Sequence, residues 1–425
     1  MESYKVPNGE KMVSLTNSTN QPLLASSTVS IPHPSIMATP SPISKPKSII
    51  YPVVGTSFYD TTFPNQLGYT SYLKRVTPVF TLPFLVSVDA YQLDRSLEFY
   101  IVVNTMHLGN YESMQHTKYT LRFQNTDYPN QFDRKNTDVG YSVLKFTVPN
   151  QTPFARNQPI TFTLSDLQNH LSYNLIAYVR FPNPNPLPIG VCAYVSDYNS
   201  IEELRMWIAF YRVQKVSLVI LYVSVPMPEL EIEFKDLIET GYLQLVDFTW
   251  PRKLVFGHIQ YSNQQAQINS CFYHYKYEVK SLILCDTDEF VFSEQFPFDL
   301  AKLSSFLEMQ YPTNDVFHML ANRYLNKEND LSHRREYLRN GTLFDAYPYL
   351  IGYSESGAKK MIVRNSFSGL LGTHVCQYCH TVNPVEPSIA KIGHFKVSVT
   401  PISTPLYSDY LFRYTPAVRK VLQVM

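Results

Sequence analysis

Tryptophan is nearly absent from this chain, with 2 residues in 425 against 32 Tyr and 26 Phe. Tyr-rich surface suits sugars, because the ring packs on apolar C–H groups while the hydroxyl hydrogen-bonds. Most such rings are nevertheless expected inside sheets, where aromatics are favoured. Charge is scarce too. Charged residues make up 17%, and 36 Lys and Arg face 35 Asp and Glu for a net charge of +1. That balance gives no electrostatic case for nucleic acid or an anionic membrane as the main partner. Long apolar runs are missing: no stretch of about 18 apolar residues reads as a membrane-spanning helix. The opening Met1-Glu2-Ser3-Tyr4-Lys5 lacks the apolar core of a signal peptide. Cysteine is limited to Cys192, Cys271, Cys285, Cys376 and Cys379, an odd count that leaves at least one thiol free. Cys192 and Cys285 stand in apolar strand-like runs and read as small buried hydrophobes.

What is present is enough for a full core, at 44% hydrophobic residues, and the length suggests two or three domains. Residues 1–50 are rich in Ser, Thr and Pro and poor in large apolar side chains, so disorder is expected there. Residues 51–185 read as a β-rich, sandwich-like module. Short runs of Val, Ile, Phe, Tyr and Thr at Ser96–Val103, Lys118–Gln124, Tyr141–Val148, Pro159–Leu164 and Tyr173–Arg180 are punctuated by turn residues. Such a module serves as scaffold or as a carbohydrate-binding unit, with scaffold the favoured reading. Pro182-Asn183-Pro184-Asn185-Pro186 reads as a linker, which puts the next domain at 186–425.

From there the pattern is α/β. Ile189–Val195, Val216–Val223, Leu243–Val246 and Ser281–Cys285 read as buried strands. Between them stand a helix opened by the Ser200/Glu203 capping box, a helix over Glu229–Thr240 stopped by Gly241, and a helix over Gln264–Tyr277. Strand–helix–strand order implies a parallel sheet with ligands beyond its carboxyl ends. Asp197 and Asn199, after the first such strand, are therefore candidates for the nucleotide site.

The strand Ser281–Cys285 runs straight into Asp286-Thr287-Asp288-Glu289-Phe290. Three acids in four residues repel one another, and a divalent cation relieves that cost. Hard carboxylate oxygens suit Mn²⁺ or Mg²⁺, which keep waters and take phosphate oxygens as further ligands. The bland alternative is a turn with solvated acids.

In order along the chain, Cys192–Asn199, the helix segment with Trp207-Ile208, Gln265…Asn269-Ser270-Cys271, Asp286-Thr287-Asp288-Glu289-Phe290, Lys359-Lys360-Met361-Ile362-Val363, His374 and His394-Phe395 resemble glycosyltransferase family 92. The resemblance spans roughly 189–400. Ser200, Met206, Tyr211 and Ser270 depart from its pattern, which marks a divergent member. It implies a GT-A, Rossmann-like domain that moves galactose from a UDP-sugar donor to a hydroxyl of a glycan or glycoprotein acceptor, with inversion. It also implies Mn²⁺ held by Asp286 and Asp288, with His374 completing the shell and Lys360 reaching the diphosphate. Inversion needs a general base, and Glu355, in the Gly352–Gly357 loop before a strand, is the favoured one among Glu328, Asp330, Glu336, Asp345 and Glu355. The resemblance places the protein in the Golgi, membrane-associated through a segment not seen in this chain. Asn17, Asn150 and Asn340 head N-glycosylation patterns, a hint of the same route. The competing reading is a non-catalytic carbohydrate-binding protein on a degenerate transferase fold.

Cys376-Gln377-Tyr378-Cys379-His380 has the spacing of haem attachment and, with His374, of a partial zinc site. Nothing else in the chain completes either, so a local disulfide or free thiols is the expectation.

Overall fold

The computed structural model describes residues 84–104, 119–131, 135–136, 141–150, 152–167, 171–195, 200–223, 228–248, 260–325, 338, 341–347, 349–353, 359–374, 376–377, 382–395, 406–407 and 413–425. The segment 1–50, expected to be disordered, lies outside them.

Eight strands come first: β1 (Phe84–Gln92), β2 (Ser96–Asn104), β3 (Tyr119–Phe123), β4 (Thr126–Pro129), β5 (Lys135–Asn136), β6 (Tyr141–Pro149), β7 (Pro159–Asp166) and β8 (Leu171–Arg180). Their order is β4-β3-β7-β8-β1-β2-β6-β5, antiparallel except for the β1–β8 pair. The two halves fold over one apolar cluster, because alternate residues of each strand point inward. Phe99 of β2 meets Phe162 of β7 at 4.9 Å and Phe123 of β3 at 6.1 Å between ring centroids. β1 was not among the expected strands. It breaks the apolar alternation with Ser87, Asp89 and Gln92, all of them buried.

The mixed α/β part follows. It comprises β9 (Leu187–Val195), α1 (Ile201–Val213), β10 (Leu218–Val223), α2 (Pro228–Glu233), α3 (Lys235–Glu239), β11 (Leu243–Asp247), α4 (Gln260–Tyr275), β12 (Val279–Leu284) and β13 (Glu289–Phe292). Then come α5 (Leu300–Gln310), β14 (Val316–Leu325), α6 (Leu343–Ala346), β15 (Tyr349–Tyr353), β16 (Lys359–Arg364), β17 (Leu370–Leu371), β18 (Cys376–Gln377), β19 (Val382–Val385), β20 (Lys391–Phe395), β21 (Leu406–Tyr407) and α7 (Thr415–Leu422). β11, β10, β9 and β12 lie side by side and parallel, as the strand–helix alternation requires. Beyond β12 the sheet becomes mixed. β16 adds antiparallel to β12, and β14 adds antiparallel to β16 and to β15.

Local signals are met closely at α1. Ser200 Oγ accepts from Glu203 N at 3.2 Å, and Glu203 Oε2 accepts from Ser200 N at 3.1 Å. The helix is buried almost all round, Met206, Ala209 and Phe210 included, since α7 covers what the sheet does not. The expected helix over Glu229–Thr240 is two short ones, α2 and α3, that break at Phe234. Gly241 ends the second at φ +76°, the left-handed conformation that glycine adopts freely.

Cys192 of β9 is bonded to Cys271 of α4, which corrects its reading as a plain hydrophobe. The bridge closes 79 residues of chain between a central strand and the helix that covers it. Cys376 is also disulfide-bonded, and Cys285 is a buried free thiol.

Helix α4 is where the β-rich part meets the α/β part. Tyr91, Tyr100, Val102 and Val143 share one apolar cluster with Ala266, Cys271, Phe272 and Tyr275. Lys276, just past the helix, is enclosed there. Its ammonium lies 5.2 Å from the Tyr100 ring and 5.7 Å from that of Phe272, and donates to Phe367 O. Burial brings the Lys276 ammonium down to about 8; Lys145 adds to the effect and Glu98 opposes it. The folded protein therefore binds fewer protons than the unfolded chain between pH 8 and the ordinary lysine value of 10.5, so stability rises with pH across that window. The swing is about 3 kcal/mol, from 1.36 kcal/mol for each tenfold change in proton affinity. Lys276→Met should remove the swing. Urea unfolding of both proteins from pH 7 to 10.5 measures it as the difference of the two curves, which cancels the tyrosines they share.

Candidate functional site

The acidic cluster sits where β12 ends. Leu282 and Leu284 pair with β9 on one side and β16 on the other, so the chain leaves the sheet at Cys285 with its direction fixed. It turns at once: Glu289 N donates to Asp286 O at 3.1 Å. The Glu289 carboxylate folds back and accepts from Asp286 N at 2.8 Å, which closes the turn from both ends. β13 then leaves antiparallel to β20, with Glu289 opposite His394.

Two basic side chains stand behind the turn. Lys360 Nζ, from β16, lies 2.9 Å from Asp286 Oδ2 and 3.3 Å from Glu289 Oε2. His394 Nε2, from β20, lies 3.3 Å from Asp288 Oδ2. The repulsion that sequence reasoning assigned to a bound cation is thus met in part by the protein's own charges. Gln264, at the amino end of α4, donates its amide to Asp286 Oδ1.

Burial divides the acids. The side chains of Lys360 and Glu289 are 2% and 1% exposed, those of Asp286 and Asp288 34% and 27%. Burial pushes the Glu289 carboxyl up to about 7, against the pull of Lys360. Burial also pulls Lys360 down, but Asp286 and Glu289 together hold its ammonium above the usual lysine value. Desolvation works against a charged His394 as well, and the hydrogen bond and charge of Asp288 overcome it, so the imidazole is held above its usual value. His394 Nδ1 is buried and has no partner. Cys285, beneath the turn, lies 3.3 Å from Tyr211 OH, and burial pushes its thiol well up, so it is inert rather than nucleophilic.

The expected site residues fall into three groups. Asp286, Asp288 and Lys360 are brought together at the turn. His374 is described and exposed, in the bend after β17. Among the described residues no three His, Cys, Asp or Glu side chains form a group fit to hold a metal ion, so Asp286, Asp288 and His374 do not converge. Asp197, Asn199 and Glu355 lie outside the described residues. Of the other acids weighed as a base, Asp345 is engaged elsewhere: it accepts from Thr342 N at 2.7 Å and pairs with Arg419 at 2.9 Å.

Four contributors had no site role in the sequence: Gln264, His394, Trp207 and Tyr211. Trp207 belongs to the helix segment that carries the family resemblance, and Tyr211 is one of the departures from it. A buried indole or phenol needs a hydrogen-bond partner, and that need was the available signal. Nothing local in the sequence singled out Gln264.

Residues 188–421, just over half of the chain, match the family model described as Glycosyltransferase family 92. No curated protein matches the chain. The crystal structure of HddC from Yersinia pseudotuberculosis is similar over 55% of this chain and 98% of that one, at 13% identity and a TM-score of 0.25. Bacteroides thetaiotamicron EndoBT-3987 with Man5GlcNAc product is similar over 39% of this chain and 52% of that one, at 8% identity and a TM-score of 0.17.

Proposed function

The chain belongs to glycosyltransferase family 92, and from that premise we propose that it moves a sugar from a UDP-sugar donor to a glycan hydroxyl on a GT-A-type, Rossmann-like domain. The observation that carries this reading is the Asp286–Glu289 turn. It stands at the carboxyl end of a strand flanked by a parallel neighbour, where ligands bind in such sheets, and its two half-exposed carboxylates project from a buried, charge-compensated base.

The donor set fits a hard divalent ion. Asp286 and Asp288 offer carboxylate oxygens, and Mg²⁺ or Mn²⁺ commonly takes one or two carboxylates with waters and substrate phosphates making up the rest. Such an ion would neutralise the diphosphate as it leaves. The chain's own residues prepare the place. Lys360 and Gln264 each occupy one oxygen of Asp286, which fixes its orientation, and His394 meets Asp288 at Oδ2. Asp286 and Asp288 are the carboxylate ligands in this reading, with His374, of the bend after β17, as the further ligand. Asp197 and Asn199 would hold the nucleotide, Lys360 would offset the diphosphate charge from behind Asp286, and Glu355 would deprotonate the acceptor, with inversion. Galactose is the proposed sugar on family resemblance. The disulfides suit an oxidising compartment, which supports a Golgi location. No helix among the described residues is long and apolar enough to cross a membrane.

The test is UDP release from a panel of nucleotide sugars with Mn²⁺, with and without chelator, for the native protein and Asp288→Asn. The variant should keep its fold and lose about 10²–10³-fold in kcat/KM, the scale on which one electrostatic contact to a developing charge is lost. Native protein that neither binds UDP nor releases it from any donor would end the proposal. Glycan binding that persists without metal and in Asp288→Ala would point to the non-catalytic reading.

A further inference from the structure

The geometry points to Trp207 as the positioning residue of the acidic turn. Its indole N–H is shared between two carbonyl oxygens, Asp286 O at 3.1 Å and Glu289 O at 3.0 Å. Those are the first and last residues of the turn, so one donor on α1 ties both ends from outside. Tyr211, one helical turn on, adds a hydroxyl to Glu289 O at 3.3 Å. The indole has no freedom to let go. It is fully buried and packed edge-on against Tyr211 at 4.7 Å between ring centroids.

This deepens the proposed donor site and rests on it. A turn closed only by its own hydrogen bonds has several ways to splay. With the carbonyls of Asp286 and Glu289 pinned to one indole, the carboxylates of Asp286 and Asp288 leave the backbone from a fixed frame. Their separation is then set before any ligand arrives. Preorganisation of this kind shows in the affinity for what the carboxylates hold, because the ordering cost is met during folding and not on binding. It does not show in the chemistry once the ligand is in place. Trp207 touches neither donor nor acceptor in this account; it acts through the turn.

The sharpest test replaces the indole N–H alone. Benzothienylalanine introduced at position 207 keeps the bicyclic shape and puts sulfur where the N–H was. Trp207→Phe is the companion variant, expected to cost stability through the cavity it leaves. Mn²⁺ affinity, donor KM, kcat, the thermal midpoint and amide exchange at residues 286–289 are read on all three proteins. The analogue protein should bind Mn²⁺ and donor about tenfold more weakly, as the loss of a shared buried donor implies. Its kcat should stay close to native, its thermal midpoint should fall by less than that of Trp207→Phe, and the turn amides should exchange faster. Native affinities in the analogue protein would overturn the inference and leave the transferase reading intact. Native protein that binds neither Mn²⁺ nor UDP would remove both.

Discussion

Lys360→Met is expected to cost about 3–5 kcal/mol of stability, the scale on which removal of one partner from a buried ion pair is felt. A domain with 5–15 kcal/mol in all would lose a large part of its margin. Lys360 is enclosed, and its ammonium lies within salt-bridge distance of Glu289. Methionine fills the space but leaves the Glu289 carboxylate buried beside Asp286 without its ion-pair partner, with only the more distant His394 to oppose its charge. Glu289 already sits high, so it would take up a proton and lose its charged hydrogen bond to Asp286 N. The turn would loosen at its base. Urea unfolding measures the loss, and Glu289→Gln in the same background should recover a good part of it, because the amide still accepts from Asp286 N without a charge to bury. A double variant no more stable than Lys360→Met alone would show that the pair is not what holds the turn. Donor KM should rise in Lys360→Met by more than its kcat falls.

The site shows which links between sequence and structure are local enough to read. Ser200 and Glu203 lie three residues apart, so their capping box is legible in four letters. An apolar run into Asp286-Thr287-Asp288-Glu289 is legible too, because a buried strand and a charged turn differ sharply in composition. Lys360 could be flagged as a cation, but not as the partner of Asp286 and Glu289. Its place depends on β16 joining β12 antiparallel, and a mixed sheet leaves no signal in periodicity. His394 meets Asp288 only through the β13–β20 register, set by chain 106 residues further on. The break of the expected Glu229–Thr240 helix at Phe234 is a different failure. The apolar spacing favours one helix there, and tertiary packing of Leu230, Phe234 and Leu237 into the core outweighs it. β1 was missed for the same kind of reason. Its Asp89 and Gln92 look like turn residues until the partners that bury them are known.

Those partners carry the other large effect. Arg180→Met is expected to destabilise the protein by about 3–5 kcal/mol, again as a buried ion left without its partners. Arg180 ends β8 and reaches the carboxyl end of α4. Its guanidinium donates to Asp89 Oδ1 at 3.4 Å, to Glu278 Oε1 at 3.3 Å and to His274 O, and lies 5.1 Å from the Tyr91 ring. A cation at a helix carboxyl terminus also meets the negative end of the helix dipole. Asp89 is 2% exposed at its side chain, with one oxygen already lacking a partner. Without Arg180 it keeps, among the described residues, the contact with His274, whose Nδ1 lies 2.6 Å away and whose imidazole burial and Arg180 hold below the usual histidine value. Asp89→Asn should therefore recover stability in the Arg180→Met background, while by itself it should cost less than Arg180→Met. The consequence reaches the site. α4 carries Gln264 at one end and is held by Arg180 at the other, with the Cys192–Cys271 bridge between. Looser docking of the β-rich part should raise amide exchange along α4 and weaken donor binding, with the acidic turn itself unaltered in sequence. Unchanged donor affinity in a folded Arg180→Met protein would show that the β-rich part is scaffold for stability alone and has no hold on the site.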